Sequence, residues 1–346
     1  MNAVKQEPPT KPELPPQAIM TQMIMGLMVS QALAVAARLK VADLLHEAPQ
    51  TAAELAAKTN THELSLFRML RSLASVGVFQ RDAEQRFHLT PLGETLRSDV
   101  AGSMSAFAIM MGEANHWRVY EEMMHSIQTG EIAFTKAHGI EPWTFFQQNP
   151  EVAQVFDNAM TSFTSGIAPA VVAAYDFSAA NTIADIAGGH GILLSQILRA
   201  NPDAQGILFD QQYVAAGARA TMEKAGVAER CEIVGGDFFA GVPAGADIYL
   251  MKHIIHDWAE DRALQILRHC HAAMPDNGKL LLVEIVLPET DEPGLGPILD
   301  MEMLLIPGGR ERTAREYREL LAQAGFTLTQ IIPTPSPMFI IESVKS

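Results

Sequence analysis

Residues 183–194 read IADIAGGHGILL, and the fold turns on how they are read. Thr182–Ile186 form a short apolar run of the kind that makes a buried strand, and GILLSQILRA (191–200) has helical spacing. Gly188, Gly189 and Gly191 stand between them. Glycines at a strand-to-helix turn let the backbone approach a ligand closely. The spacing is not G-x-G-x-x-G, and no Lys-Ser/Thr pair follows, so a pyrophosphate cradle is not expected.

The alternation continues outward. AQGILFD (204–210), CEIVGGDFF (231–239) and ADIYLMK (246–252) read as strands, and GARATMEKAG (217–226) as a helix. AEDRALQILRHCHAAM (259–274) reads as a helix with Leu264, Leu267, Cys270 and Met274 inward. GKLLLVEIVLP (278–288) is a strand entered through the turn Asn277-Gly278; the helix AREYRELLAQAG (314–325) and two final strands follow. Strands alternating with helices predict a mostly parallel sheet covered on both faces, with ligands beyond the carboxyl ends of its strands. Asp210 ends the second strand 22 residues after Gly188, where an acid can grip a ribose diol. Asp237 and Phe238 end the third, a carboxylate beside a ring that suits an adenine. A nucleoside without phosphates points to S-adenosylmethionine (SAM), its carboxylate facing the helix N-terminus after Gly191.

Composition excludes several classes. The chain has 346 residues, enough for two domains, with 48% apolar and 19% charged residues. Its net charge of −15 makes it a poor nonspecific binder of nucleic acid or anionic membranes. Two cysteines, Cys231 and Cys270, make no disulfide framework and fit a reducing cytoplasm. Residues 1–18 carry five prolines and no apolar core, so a flexible or extended tail is expected and not a signal peptide. Between Met23 and Ala37 only Ser30 and Gln31 are polar, a run of fifteen residues against the ~20 a membrane span needs. Such a helix is expected to bury in a core or a dimer interface.

Residues 51–90 predict two short helices and a hairpin. Thr51 and Glu54 form a capping box, Leu66, Leu70 and Leu73 share a face, and the chain turns at Asp82-Ala83-Glu84. This is a winged-helix pattern. From Thr51 to Arg97 there are six basic residues (Lys58, Arg68, Arg71, Arg81, Arg86, Arg97) and five acidic ones (Glu54, Glu63, Asp82, Glu84, Glu94). A DNA-reading face needs a clear basic excess, so packing or dimerisation is the expected use. The helical stretch 101–177 is rich in methionine and aromatic residues, which suits a core and also suits moulding to an irregular apolar ligand.

Past the fourth strand, YLMKHIIHDWAED (249–261) places His253 and His256 together. Base, metal ligand and plain packing all remain open there. No zinc spacing is present, and no metal is expected.

The sequence resembles the SAM-dependent O-methyltransferases of the caffeic acid and hydroxyindole (acetylserotonin) type over nearly its whole length. DIAGGHG, the FD at 209–210, GDFF (236–239) and the series MKHIIHDW, PDNGKLLLVEIVLP, PGGRERT carry the resemblance. It implies an α/β, Rossmann-like methyltransferase domain with a mostly parallel seven-stranded sheet over 178–346. A helical pocket region (101–177) and a winged-helix dimerisation domain (19–100) are implied before it. Gly188, Gly189, Asp210, Asp237, Phe238 and Lys252 then match SAM-binding positions. Ala187 stands where the family has glycine, so its contact is expected through backbone only. His256 matches the general base, a neutral imidazole at cytosolic pH, with Glu284 and Glu311 holding its ring. Phe156, Met160, Phe163 and Met303 match acceptor-pocket positions. His253 takes a substrate-facing position, to hydrogen-bond or to pack. Ile306 replaces an asparagine common in the plant enzymes, so their substrates do not carry over. The implied partners are a small aromatic or polyketide-like hydroxyl acceptor and a second copy of the chain. The competing readings are a SAM-responsive DNA-binding regulator, a relative promoting hydroxylation or decarboxylation, and an N-methyltransferase.

Overall fold

The computed structural model describes residues 14–290 and 292–346. Most of the expected tail over 1–18 lies outside the described residues. The first helix already begins at Pro16, whose fixed φ suits the first helical position. Packing divides the chain into two compact units, residues up to 94 and residues from 95 onward.

The first unit begins with the helix Pro16–Arg38. At 23 residues it extends well past its uninterrupted apolar run and is long and apolar enough to cross a membrane, by length and composition alone. Its apolar side chains are largely exposed in the single chain: Met23 is 69% exposed, and Ile24 and Met28 are similarly open. The helices Val41–Glu47, Ala52–Thr59 and Glu63–Ser75 follow. The Thr51–Glu54 capping box forms in both directions. Leu66, Leu70 and Leu73 are buried, as their spacing requires. Strands β1 (Phe79–Arg81) and β2 (Phe87–Leu89) then pair antiparallel across a turn in which Gln85 takes φ 63°.

The second unit is built on one sheet. Its strands are β3 (Thr182–Ile186), β4 (Gln205–Asp210), β5 (Cys231–Gly235), β6 (Ile248–Lys252) and β7 (Lys279–Glu284), with β10 (Phe326–Pro333) and β11 (Phe339–Lys345) at one side. The two-residue strands β8 (Val286–Leu287) and β9 (Arg312–Thr313) pair with each other outside it. The expected strand 278–288 is therefore interrupted at Ile285, between β7 and β8. The order is β10-β11-β7-β6-β3-β4-β5, with β11 antiparallel to β7 and to β10 and the other pairs parallel. From β3 the chain moves outward through β4 to β5, then returns to lay β6 on the other side of β3. That reversal is a topological switch point, which opens a crevice beyond the carboxyl ends of β3 and β6.

Helices bury both faces. Leu193, Leu194, Ile197 and Leu198 of the helix Ile192–Ala200 pack on one face with Ile183, Leu208, Leu250 and Leu281. Ile266, Leu267, Cys270 and Met274 of the region Glu260–Met274 pack on the other with Tyr249, Met251, Leu280 and Leu282. The methionine-rich stretch forms five short helices between Ser105 and Gln148 and then the long helix Pro150–Ala174.

Candidate active site

The first end of the crevice is made of backbone and acids. After β3 the chain turns sharply: Ala187 takes φ 56° and Gly189 φ 59°. The left-handed region costs a residue with a Cβ roughly 1–2 kcal/mol, which explains why a glycine is usual where Ala187 stands. A Cβ on Gly188 would collide with Leu208 and lie 2.7 Å from the Asp185 carboxylate, so the loop can rest on the sheet only as glycine. Asp210 at the end of β4 binds this loop: Oδ2 accepts from Gly189 N (2.7 Å) and Oδ1 from Gln211 N (2.7 Å). Asp237 caps its own turn by accepting from Phe239 N at 2.8 Å. Phe238 stands edge-on to Phe239 and Trp258, in an aromatic wall that Trp143 continues by stacking on Trp258.

Burial pushes the Asp185 carboxyl up to about 7, against the pull of Lys252, and Asp210 up to about 6. Lys252, at the end of β6, is held below its usual range by burial despite Asp185, Glu284 and Asp257 around it. Asp185 and Asp210 lie close enough to interact here, with Lys252 as the cation beside Asp185. This end therefore fits a cationic nucleoside donor better than an anionic one, and SAM carries a sulfonium and an ammonium. Asp185 escaped the sequence reading. Its signal was an acid inside an apolar strand, the same signal that marked Glu284.

The second end centres on His256, which lies in a single 3₁₀ turn, Ile255–Asp257, directly after β6. The residue is 4% exposed. Nδ1 donates to Glu311 Oε1 at 2.7 Å and lies 3.9 Å from Glu284 Oε2; Nε2 lies 3.5 Å from Asp257 Oδ1. Glu284 Oε1 accepts from Ile254 N and Ile255 N, which fixes the turn to the end of β7. Glu284 Oε2 and Glu311 Oε2 are buried without a hydrogen-bond partner among the described residues. Burial pushes the imidazole's proton affinity down, but Glu284, Asp257 and Glu311 together outweigh it and raise His256 to about 9. The expectation of a neutral ring at cytosolic pH therefore needs correcting: three carboxylates hold a proton on it. Burial also raises Glu284 to about 7. Asp300, another residue the sequence did not single out, accepts from the Glu311 amide at 2.7 Å and fixes that acid in turn.

His253 takes φ 54°, and its ring lies 4.6 Å from His256 and stacks on Phe163 at 5.4 Å. Burial, His256 and Lys252 hold it well below its usual range, so it is neutral. Its Nε2 lies 3.0 Å from Met338 Sδ. Phe156, Met160 and Phe163 share one face of the helix Pro150–Ala174 by their spacing. The Phe156 ring stacks on Phe146 and meets Trp143, so it joins the aromatic wall, whereas Phe163 joins the histidines. Met303 is buried on the helix Gly296–Leu305, one turn from Asp300. His256, Glu284 and Glu311 offer ligand atoms within 4.8 Å of one another, close enough for a metal. The 2.7 Å Nδ1–Oε1 contact is, as it stands, a hydrogen bond.

This strand order, with a glycine turn and acids at successive strand ends, is that of a methyltransferase. Residues 118–327 match the O-methyltransferase domain, and residues 21–99 the O-methyltransferase dimerisation domain. The phenazine O-methyltransferase PhzM of Lysobacter antibioticus is 47% identical over 330 residues, 95% of this chain and 96% of its own. The crystal structure of LaPhzM superposes with a TM-score of 0.92 at 46% identity, covering 96% of this chain and 100% of the other. Human N-acetylserotonin methyltransferase, solved in complex with SAM, has a TM-score of 0.89 at 25% identity, covering 97% and 99%. The chain belongs to the O-methyltransferase family, as the sequence resemblance implied.

Proposed function

We propose that this enzyme transfers the methyl group of SAM to a hydroxyl of a flat aromatic acceptor, with His256 taking the hydroxyl proton. The 2.7 Å bond from Nδ1 to Glu311 carries this reading, because it leaves Nε2 as the ring's free basic atom. The donor supplies a methyl carbon already attached to a good leaving group. The protein's own part is to hold it: Ala187, Gly188 and Gly189 by backbone, Asp210 at the ribose, Asp237 and Phe238 at the adenine, and Lys252 beneath. Phe156, Met160, Phe163, His253 and Met303 hold the acceptor flat, and alignment of this kind can lower a barrier by up to ~7–11 kcal/mol.

Glu311 fixes which ring nitrogen is free, and Glu284 and Asp257 stabilise the imidazolium that forms. A base raised to about 9 is well matched to a phenol, whose reference pKa is ~10. The same field leaves only a small neutral fraction at pH 7, so activity should rise with pH. No step requires a metal. The relatives' acceptors, phenazines among them, support a polycyclic phenol. The exposed apolar helix Pro16–Arg38 overlaps the dimerisation match, which supports a homodimer that covers it.

The test is transfer from labelled SAM to a panel of hydroxylated phenazines, naphthoates and hydroxyindoles, with and without EDTA. His256→Ala should lose roughly 10²-fold or more in single-turnover rate while retaining donor affinity, and EDTA should change nothing. Full activity in the mutant would remove the base role, and loss with EDTA would return the cluster to a metal reading.

A further inference from the structure

Arg312 is fully buried, and the chemistry described so far does not use it. Its guanidinium forms no ion pair with a carboxylate among the described residues. It donates only to main-chain carbonyls: Nη1 to Ile255 O at 3.1 Å and to Arg310 O at 3.2 Å, Nη2 to Trp258 O at 3.4 Å. Nε has no partner among the described residues. A cation taken out of water costs several kcal/mol unless something compensates it, so a placement that recruits only carbonyl dipoles calls for an explanation.

The carbonyls it holds explain the placement. Ile255 and Trp258 bracket His256, and Arg310 immediately precedes Glu311. The 3₁₀ turn ends at Asp257 and the next helix begins only at Glu260, so the turn does not run on into a helix that would hold its carbonyls in register. The segment 309–312 does that instead: Arg310 N donates to His256 O at 2.9 Å, and Gly309 packs so closely there that an added Cβ would collide with His256 O. A planar fork can reach both sides of the turn and the loop at once, whereas an ammonium acts as a single point. Burial holds the guanidinium below its usual range and Arg310 adds to that, while Tyr317, Glu284 and Glu260 oppose it.

We infer that Arg312 is the positioning residue of the methyl-transfer reaction: its buried guanidinium clamps the turn bearing His256 to the loop bearing Glu311 and thereby sets the bond between them. This rests on His256 acting as base. Arg312 touches neither donor nor acceptor in this account and works through the two residues it aligns.

The experiment compares Arg312→Lys, Gly309→Ala, Glu311→Gln and His256→Ala in single-turnover transfer at saturating donor and acceptor, with the affinity for S-adenosylhomocysteine measured by calorimetry. Arg312→Lys should lose about 10- to 100-fold in transfer rate with donor affinity within about twofold. The double variant Arg312→Lys/Glu311→Gln should be no slower than the slower single variant, because both act on one bond. An unchanged rate in Arg312→Lys, or a donor-affinity loss as large as the rate loss, would overturn the clamp. If Arg312→Lys does not fold, Gly309→Ala decides: it displaces the same turn without changing charge and should show the same split, and an unchanged rate would overturn the proposal. His256→Ala separates the two readings. Full activity there removes the base role itself, whereas loss there with none in Arg312→Lys and Gly309→Ala removes only the clamp.

Discussion

The two ends of the crevice are built from different materials. The end proposed for the donor is a glycine turn and carboxylates at or just past strand ends, fixed by β3, β4 and β5. The end proposed for the acceptor is a set of side chains on helices and one short turn, meeting ring to ring through Phe163, His253 and His256. A donor common to many enzymes can be held by backbone geometry, which tolerates few changes. An acceptor that differs between enzymes is held by rings and thioethers, which can be exchanged without disturbing the sheet.

This contrast predicts separable losses. Asp210→Ala should weaken donor binding by roughly 100-fold, the equivalent of about 3 kcal/mol of charge-assisted hydrogen bonds, and leave the acceptor KM nearly unchanged. Calorimetry with S-adenosylhomocysteine measures the first and initial rates the second; equal damage to both would merge the two ends. Glu284→Gln removes an anion 3.9 Å from Nδ1, so the imidazolium loses support and the midpoint of the rising rate–pH curve should move down by roughly 1–2 units. A midpoint that stayed put or rose would detach Glu284 from His256.

Two smaller effects complete the comparison. Phe163→Ala should raise the acceptor KM by roughly 5- to 10-fold through a lost stacking surface, with donor affinity intact. Donor affinity should weaken as pH falls through about 6, because Asp210, raised to about 6 by burial, is then protonated and loses its charge. The sign follows from the acid being the binding form, and a donor affinity that is flat from pH 8 to pH 5 would contradict it.

Legibility in the sequence followed the same division. The sheet and the glycine loop could be read because strand periodicity and strand-end position are local signals: GGHG and Asp210 stand where the alternation puts them, whereas the third strand ends at Gly235 and Asp237 lies two residues beyond it. Glu284 could be read because a carboxylate in LLLVEIVL violates the pattern around it. Asp185 carries the same violation in β3 and was hidden by the glycines that follow it. Arg312 and Asp300 gave no such sign. Each acts on a segment distant in sequence, and a charged residue in PGGRERT looks like solvated loop until folding buries it completely. The protonation of His256 was also out of reach, since it depends on Glu284 and Glu311 converging in space on the His256–Asp257 pair. The helix Pro16–Arg38 was legible as apolar, but its exposure in a single chain emerges only with the fold. Charged substitutions at Met23 and Ile24 should shift the protein from dimer to monomer in sedimentation.

The central claim is that the acceptor's proton passes to Nε2 of His256 while Glu311 holds the opposite edge of the ring. A crystal structure of the enzyme with S-adenosylhomocysteine and a hydroxylated acceptor tests it most directly. The account predicts the acceptor oxygen within about 2.6–3.2 Å of Nε2, with the Nδ1–Glu311 bond retained. An acceptor oxygen lodged elsewhere, or an imidazole turned away from it, would contradict the account.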